Sequence, residues 1–226
     1  MSKTTAVIDF ETTGLSPGMG DRATEIAVCL VEDGRIVDRF QSLMNAGVRI
    51  SSFIEAYTGI SNAMIATAPP AETVMADAAR FVGGAPMVAH NASFDRRFWE
   101  AELARADQPA KHSFACTMLL SRRLYPEAVS FKLGSLAAFH SLPSAGRAHR
   151  AMADAEVAAH LYGRICRDLE RRYDVFDINH VLLAKLQACQ RKALPATIQK
   201  HLASLPAGER RVGALSDMPG PAASPE

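Results

Sequence analysis

The chain has 226 residues, 48% of them hydrophobic and 22% charged, with a formal net charge of +1. Those values fit one ordinary globular unit with a sizeable core and a short appendage, and they exclude collagen-like, low-complexity and wholly disordered chains. The longest unbroken apolar run, Ile26 to Val31, falls far short of the roughly 20 residues that cross a bilayer, and Met1 to Thr5 lacks the pattern of an export signal. A cytoplasmic protein without membrane contact is therefore expected.

Thr5 to Phe10 reads as a buried strand and Gly14 to Gly20 as a loop. Thr24 to Glu32 and Arg35 to Met44 are apolar-rich runs joined by Asp33-Gly34, a dipeptide that favours a tight hairpin, so the chain should open with three antiparallel strands. Ser51 to Pro70 suggests short helices and loops. Glu72 to Phe81 has helical spacing and stops at Gly83-Gly84, and Pro86 to His90 is a short apolar strand. Helices are expected from Ser93 to about Ala106, with Phe94, Phe98 and Leu103 facing inward, and over Thr117 to Leu124, Leu133 to His140 and Arg150 to Arg172.

This order describes an α/β architecture, a mixed sheet covered by helices. The reading divides the chain into a main domain over 1–172, a helical extension over 173–211 and a disordered tail over 212–226. In the extension, Val181, Leu182, Leu183, Leu186 and Cys189 make one helical stripe, Pro195 interrupts it, and Ile198 to Leu205 make another. The tail is rich in Gly, Pro, Ala and Ser.

Cys29, Cys116, Cys166 and Cys189 lie far apart with no CxxC pair, which removes a zinc ribbon or disulfide framework and leaves core thiols. Residues 1–100 carry 8 Lys+Arg against 12 Asp+Glu, whereas 101–226 carry 17 against 12. Such a split suits a polyanion held beside an acidic site, although solvated surface arginines give the same pattern.

Three segments carry chemistry. In Asp9-Phe10-Glu11-Thr12-Thr13-Gly14, side chains two apart on a strand face the same way, so Asp9 and Glu11 point together and Ile8 and Phe10 point oppositely. Two carboxylates at a buried strand end repel each other, a cost that a cation offsets. The plainer alternative starts an exposed loop at Glu11 and makes Asp9 a turn cap. In His90-Asn91-Ala92-Ser93-Phe94-Asp95, Asp95 falls in a helix's first turn; it is either a site carboxylate or an acid that stabilises the helix, with Asn91 or Ser93 as N-cap. In His149-Arg150-Ala151-Met152-Ala153-Asp154, five positions rotate about 140° around a helix, so His149 must precede the helix if both side chains reach one site. Both His90/Asp95 and His149/Asp154 have this spacing, and both sit at element boundaries.

Together, and in this order, the three segments resemble the DnaQ-like exonucleases of the DEDDh type: Asp-x-Glu-Thr-x-Gly on the first strand, His-Asn-Ala-x-Phe-Asp at a helix start and His-x4-Asp near the domain end. The match covers about residues 4 to 170, with Thr58-Gly59-Ile60, Ala68-Pro69 and Leu133 to Leu136 as intermediate landmarks; Cys116-Thr117 stands where the family often has Asp-Thr. The resemblance implies a ribonuclease H-like fold, a mixed five-stranded sheet flanked by helices. It also implies that Asp9, Glu11, Asp95 and Asp154 hold two divalent ions, Mg²⁺ or Mn²⁺ by the hardness of the donors, with His149 accepting the proton of the attacking water.

Hydrolysis from a 3′ end to nucleoside 5′-monophosphates is the implied activity. Leu15 and Ile60 would wedge against terminal bases, Thr12 and Thr13 would meet the last nucleotide, and Asn91 would contact a phosphate; ordinary packing is the alternative for both apolar residues. The substrate is expected to be the 3′ end of single-stranded DNA or RNA, with DNA the first choice for a proofreading or repair enzyme. An exoribonuclease and a silent nucleic-acid-binding module are the alternatives. A DNA polymerase subunit docked on 173–205, or a second copy in a homodimer, is a candidate partner; the stripe also reads as a helix packed on its own domain.

Overall fold

A computed structural model describes residues 4–144, 149–176 and 178–205. The first strand, β1 (Thr5–Thr12), pairs antiparallel with β2 (Ala23–Glu32), which pairs antiparallel with β3 (Arg35–Leu43). The β2/β3 turn is the expected one: Asp33 and Gly34 have φ of 47° and 74°, both on the positive side that a two-residue hairpin turn of the primed type requires. Two short parallel strands, β4 (Met87–Ala89) and β5 (Phe114–Cys116), complete a five-stranded sheet in the order β3-β2-β1-β4-β5. The mixed sheet is thus as expected, but β5 gives no signal in the sequence, since three residues are too few to show alternation.

Nine α-helices lie among the described residues: α1 (Ser52–Thr58), α2 (Asn62–Ala66), α3 (Ala71–Val82), α4 (Ser93–Arg105), α5 (Thr117–Leu124), α6 (Leu133–Phe139), α7 (Ala151–Tyr173), α8 (His180–Ala188) and α9 (Leu194–Ser204). Strand alternation splits the core in two. Ala6, Ile8 and Phe10 pack with Val74, Met75, Phe98 and Trp99 of α3 and α4, while Val7 and Cys29 pack with α5, α7 and α8 on the other face. Ala151, Ala155, Ala158 and Ala159 of α7 are buried in that second core. Their small side chains let the helix lie close on β1 and β2, bringing its first turn to the end of β1. The cysteines are free thiols; Cys29 and Cys116 are buried, whereas Cys166 and Cys189 are only partly so.

The C-terminal helices belong to the same body. Leu182, Leu183, Leu186, Leu194 and Ile198 are buried in the core that also holds Val7 and Leu120, and Pro195 starts α9 in its first turn, where a missing N–H costs nothing. Val181 departs from the expected stripe, being 59% exposed. This packing accounts for the stripe without a partner. From α8, Gln187 reaches the sheet's border: its Oε1 accepts from Cys116 N–H at 2.7 Å and its Nε2 donates to Phe114 C=O at 3.3 Å, standing in for a neighbouring strand's peptide group. The expected disordered tail, 212–226, lies outside the described residues. No helix among the described residues is long and apolar enough to cross a membrane.

Candidate active site

The site forms where β1 outruns β4. Asp9 and Glu11 project from β1 on the Val7 side, and Glu11 lies opposite Glu25 of β2. Beyond the last β4 pairing, Phe10 N–H donates to Asp95 Oδ1 at 3.2 Å, so Asp95 in the first turn of α4 closes a gap left by the short strand. It is 2% exposed. Neither Asn91 nor Ser93 caps that helix by its side chain, contrary to the N-cap alternative; Ala92 is the N-cap residue, and Asn91 turns the chain with φ of 63°.

From the opposite side, α7 brings Asp154. His149 precedes the helix, as its spacing requires, with φ of 64° and its N–H donating to Asp154 Oδ2 at 2.9 Å. Its ring stacks on Tyr57 of α1 with centroids 3.9 Å apart. One donor atom from each of Glu11, His149 and Asp154 lies within 4.8 Å of the other two. Asp9, His149 and Asp154 line a cavity of about 950 Å³ that also reaches His90, Asn91, Arg122 and Lys132.

Crowding sets the electrostatics. Burial holds the Asp9 carboxyl well above its ordinary range, and Asp95, Asp154, Glu11 and Glu25 push it further. Glu11 is pushed up to about 8, by burial first and then by Asp154 and Glu25, against the opposing pull of Arg150. Burial raises Asp95 to about 7 and also raises Asp154, although the His149 N–H opposes the latter shift. These acids resist ionisation together; a bound cation would offset the repulsion between their charged forms while competing with protons for them. Carboxylate oxygens with one imidazole within reach and no thiolate make a donor set that fits a divalent cation.

β2 and Arg22 just before it contribute no acid to the floor yet brace both helices that do. Burial pushes Glu25 upward, but bonds from Arg150, Gln41 and the Ala151 N–H hold it below the ordinary glutamate value. Its carboxylate takes the Arg150 guanidinium in a fork at 2.8 and 3.1 Å and the Ala151 N–H at 3.1 Å, fixing the start of α7. Arg22 forks onto the buried Glu102 of α4 at 2.9 Å through both Nε and Nη2. Glu25→Gln should lower unfolding stability by about 2 kcal/mol, since it weakens charge-assisted bonds without emptying the site, as urea titration would show. A change below about 0.5 kcal/mol would mean that the fork is not a brace.

The remaining expected residues divide. Leu15 is 76% exposed on the loop after β1. That loop is cinched by Asp21, whose carboxylate accepts from Ser16 N–H and lies where a Cβ on Gly14 would stand, so a larger residue there would displace the Asp21 side chain. Thr12 is buried and its hydroxyl donates to Gly14 C=O; the Thr13 hydroxyl accepts from Arg22 N–H. Both hydroxyls therefore shape the loop. Ile60 has no exposed surface and packs with Ile50 and Ile65, which corrects its expected role as a wedge. An isoleucine after a glycine does not announce which way it faces.

Tyr57, Glu25 and Arg150 escape sequence reasoning, although Arg150 sits beside His149 in the motif itself. His90, despite its His-x4-Asp spacing, serves the frame: its ring nitrogens bond Thr117 Oγ1 at 2.9 Å and Phe131 C=O at 3.0 Å, and burial lowers its pKa to about 4.

The RNase_T family model, described as exonuclease, matches residues 6–162. Among curated proteins, the chain is 35% identical over 181 residues to the PolC-type DNA polymerase III of Caldanaerobacter subterraneus subsp. tengcongensis, covering 79% of this chain and 13% of that protein. It is 38% identical over 166 residues to the 3′-5′ exonuclease DinG of Bacillus subtilis, covering 73% and 18%. The chain thus spans less than a fifth of the length of either relative. Among solved structures, Exonuclease X in complex with 5′ overhanging duplex DNA superposes with a TM-score of 0.64 at 30% identity, covering 81% of this chain and 99% of that one.

Proposed function

Since the chain belongs to the RNase_T exonuclease family, we propose that it is a two-metal-dependent 3′-5′ exonuclease that hydrolyses single-stranded DNA to nucleoside 5′-monophosphates. The observation that carries this reading is the convergence of Asp9, Glu11, Asp95 and Asp154 with His149 at one sheet end, their carboxyls crowded above their ordinary range. The names borne by its relatives, a DNA polymerase and a 3′-5′ exonuclease, and by its structural neighbour on DNA, favour DNA as substrate.

Asp9, Glu11, Asp95 and Asp154 would hold the ions. When bound, such a pair clamps a scissile phosphate, sharpens a water as nucleophile and steadies the leaving oxygen. His149 accepts the proton of that water, with its ring oriented by Tyr57 and its backbone by Asp154. Leu15 meets the terminal base from the loop after β1, and Asn91 meets a phosphate at the cavity wall. The Glu25 and Glu102 braces keep α7 and α4 at the separation this requires.

Incubating the chain with matched 5′-labelled DNA and RNA strands, while titrating Mg²⁺ or Mn²⁺, tests the reading. Stepwise shortening of the DNA strand, abolished by EDTA, is expected. A faster RNA strand would make it an exoribonuclease, and no shortening of either would leave only a binding module.

A further inference from the structure

The cavity, at about 950 Å³, lies near the top of the roughly 300–1,000 Å³ spanned by small-ligand sites, which leaves room beside a single nucleotide. The same cavity is lined by the acids Asp9 and Asp154 and by the cations Arg122 and Lys132. Both cations are exposed, and among the described residues neither has a carboxylate in ion-pair reach. Two cations without an acid partner among the described residues, in a cavity that also holds the site's acids, call for an anionic ligand.

The cations are also placed in advance. Arg122 lies over the Phe131 ring, 5.8 Å from its centroid, and its Nη2 points to Met118 Sδ at 3.8 Å. Lys132 follows Phe131, whose carbonyl accepts from His90 at the end of β4. The neutral imidazole that burial enforces can do this while receiving the Thr117 hydroxyl at its other nitrogen. The loop bearing Lys132 is thereby tied to the same strand end from which α4 sets out with Asp95.

We propose that Arg122 and Lys132 form a phosphate track for the strand upstream of the scissile bond, so that the ligand of this cavity is a single-stranded polynucleotide of several nucleotides. The inference rests on the exonuclease reading above. A polyanion approaching the carboxylates meets repulsion, and cations one or more phosphates upstream offset it. Contacts to phosphates carry no sequence information, so the strand can advance by one unit after each cleavage without losing its grip.

The test compares two substrates in the full chain with Mn²⁺: a long single-stranded oligonucleotide, and the p-nitrophenyl ester of thymidine 5′-monophosphate, which has a reacting phosphodiester and no upstream phosphate. In Arg122→Ala and in Lys132→Ala, the ratio of oligonucleotide to ester kcat/KM should fall about tenfold, through KM. The slope of log affinity against log salt should shrink by about 0.7 for each phosphate that the variant no longer neutralises. Arg122→Lys and Lys132→Arg should keep most of the ratio. An unchanged ratio in both alanine variants overturns the track while leaving the exonuclease reading intact. A wild-type chain that cleaves neither substrate overturns that reading and the track with it.

Discussion

Asp9→Asn is expected to raise the melting temperature of the metal-free protein while lowering kcat by about 10³ or more, because the acids that the reaction needs are a burden to the fold without their cations. Glu11 is raised from the ordinary 4.5 to about 8 and Asp95 from 3.8 to about 7, and Asp9 is raised as well. A carboxyl with its folded pKa raised binds its proton more tightly when folded. Its stabilisation is therefore complete below the ordinary value and is lost as pH climbs through the folded one. Each pKa unit is worth about 1.4 kcal/mol, so forcing Glu11 alone to ionise costs several kcal/mol.

The metal-free melting temperature should accordingly fall between about pH 5 and pH 8. Millimolar Mn²⁺ should reverse the fall, with a gain that grows with pH as the donors shed their protons. Asp9→Asn removes one member of the cluster, so it should flatten the slope and blunt the response to Mn²⁺. Thermal unfolding at several pH values, with EDTA or with Mn²⁺, measures all of this. A wild-type curve that stays flat across the range, or an asparagine variant no more stable than wild type, would show that the carboxyls do not strain one another.

His149→Ala should lower single-turnover hydrolysis by about 10² to 10⁴, the usual worth of a positioned proton acceptor, while Mn²⁺ still raises the melting temperature as in wild type. The distinction matters because the imidazole lies near enough to Glu11 and Asp154 to be a metal ligand itself. Loss of the Mn²⁺ response together with turnover would give it that role and leave the water's proton to another group. Tyr57, whose ring lies on the imidazole, provides a milder companion: Tyr57→Ala frees the ring without removing it and should reduce the rate less than His149→Ala does.

The acid-bearing segments were legible because Glu11, Asp95 and Asp154 lie near element boundaries and the three segments, in this order, resemble one family's pattern. The hairpin was legible from Asp33-Gly34, and the bounds of α5 from its own apolar spacing. What escaped had no period or had a misleading one. β5 is three residues long, and Glu25 looks in sequence like any solvated strand acid until Arg150 arrives from 125 positions away. The same remoteness hides Gln187 from Cys116, 71 positions apart. Ile60 misled for the opposite reason, since its neighbours fit a pattern while its side chain turned inward onto Ile50 and Ile65.

The amide that Gln187 lays along β5 has a consequence for how this chain tolerates being cut. Trimming at the end of α7 would look like the excision of an ornament, yet it would bare the hydrogen-bonding groups of Phe114 and Cys116 and strip the apolar cover that Leu182, Leu183 and Leu186 supply. With β3 already bordering solvent at the opposite end, such a fragment would carry two adhesive margins, the condition for head-to-tail concatenation into fibres.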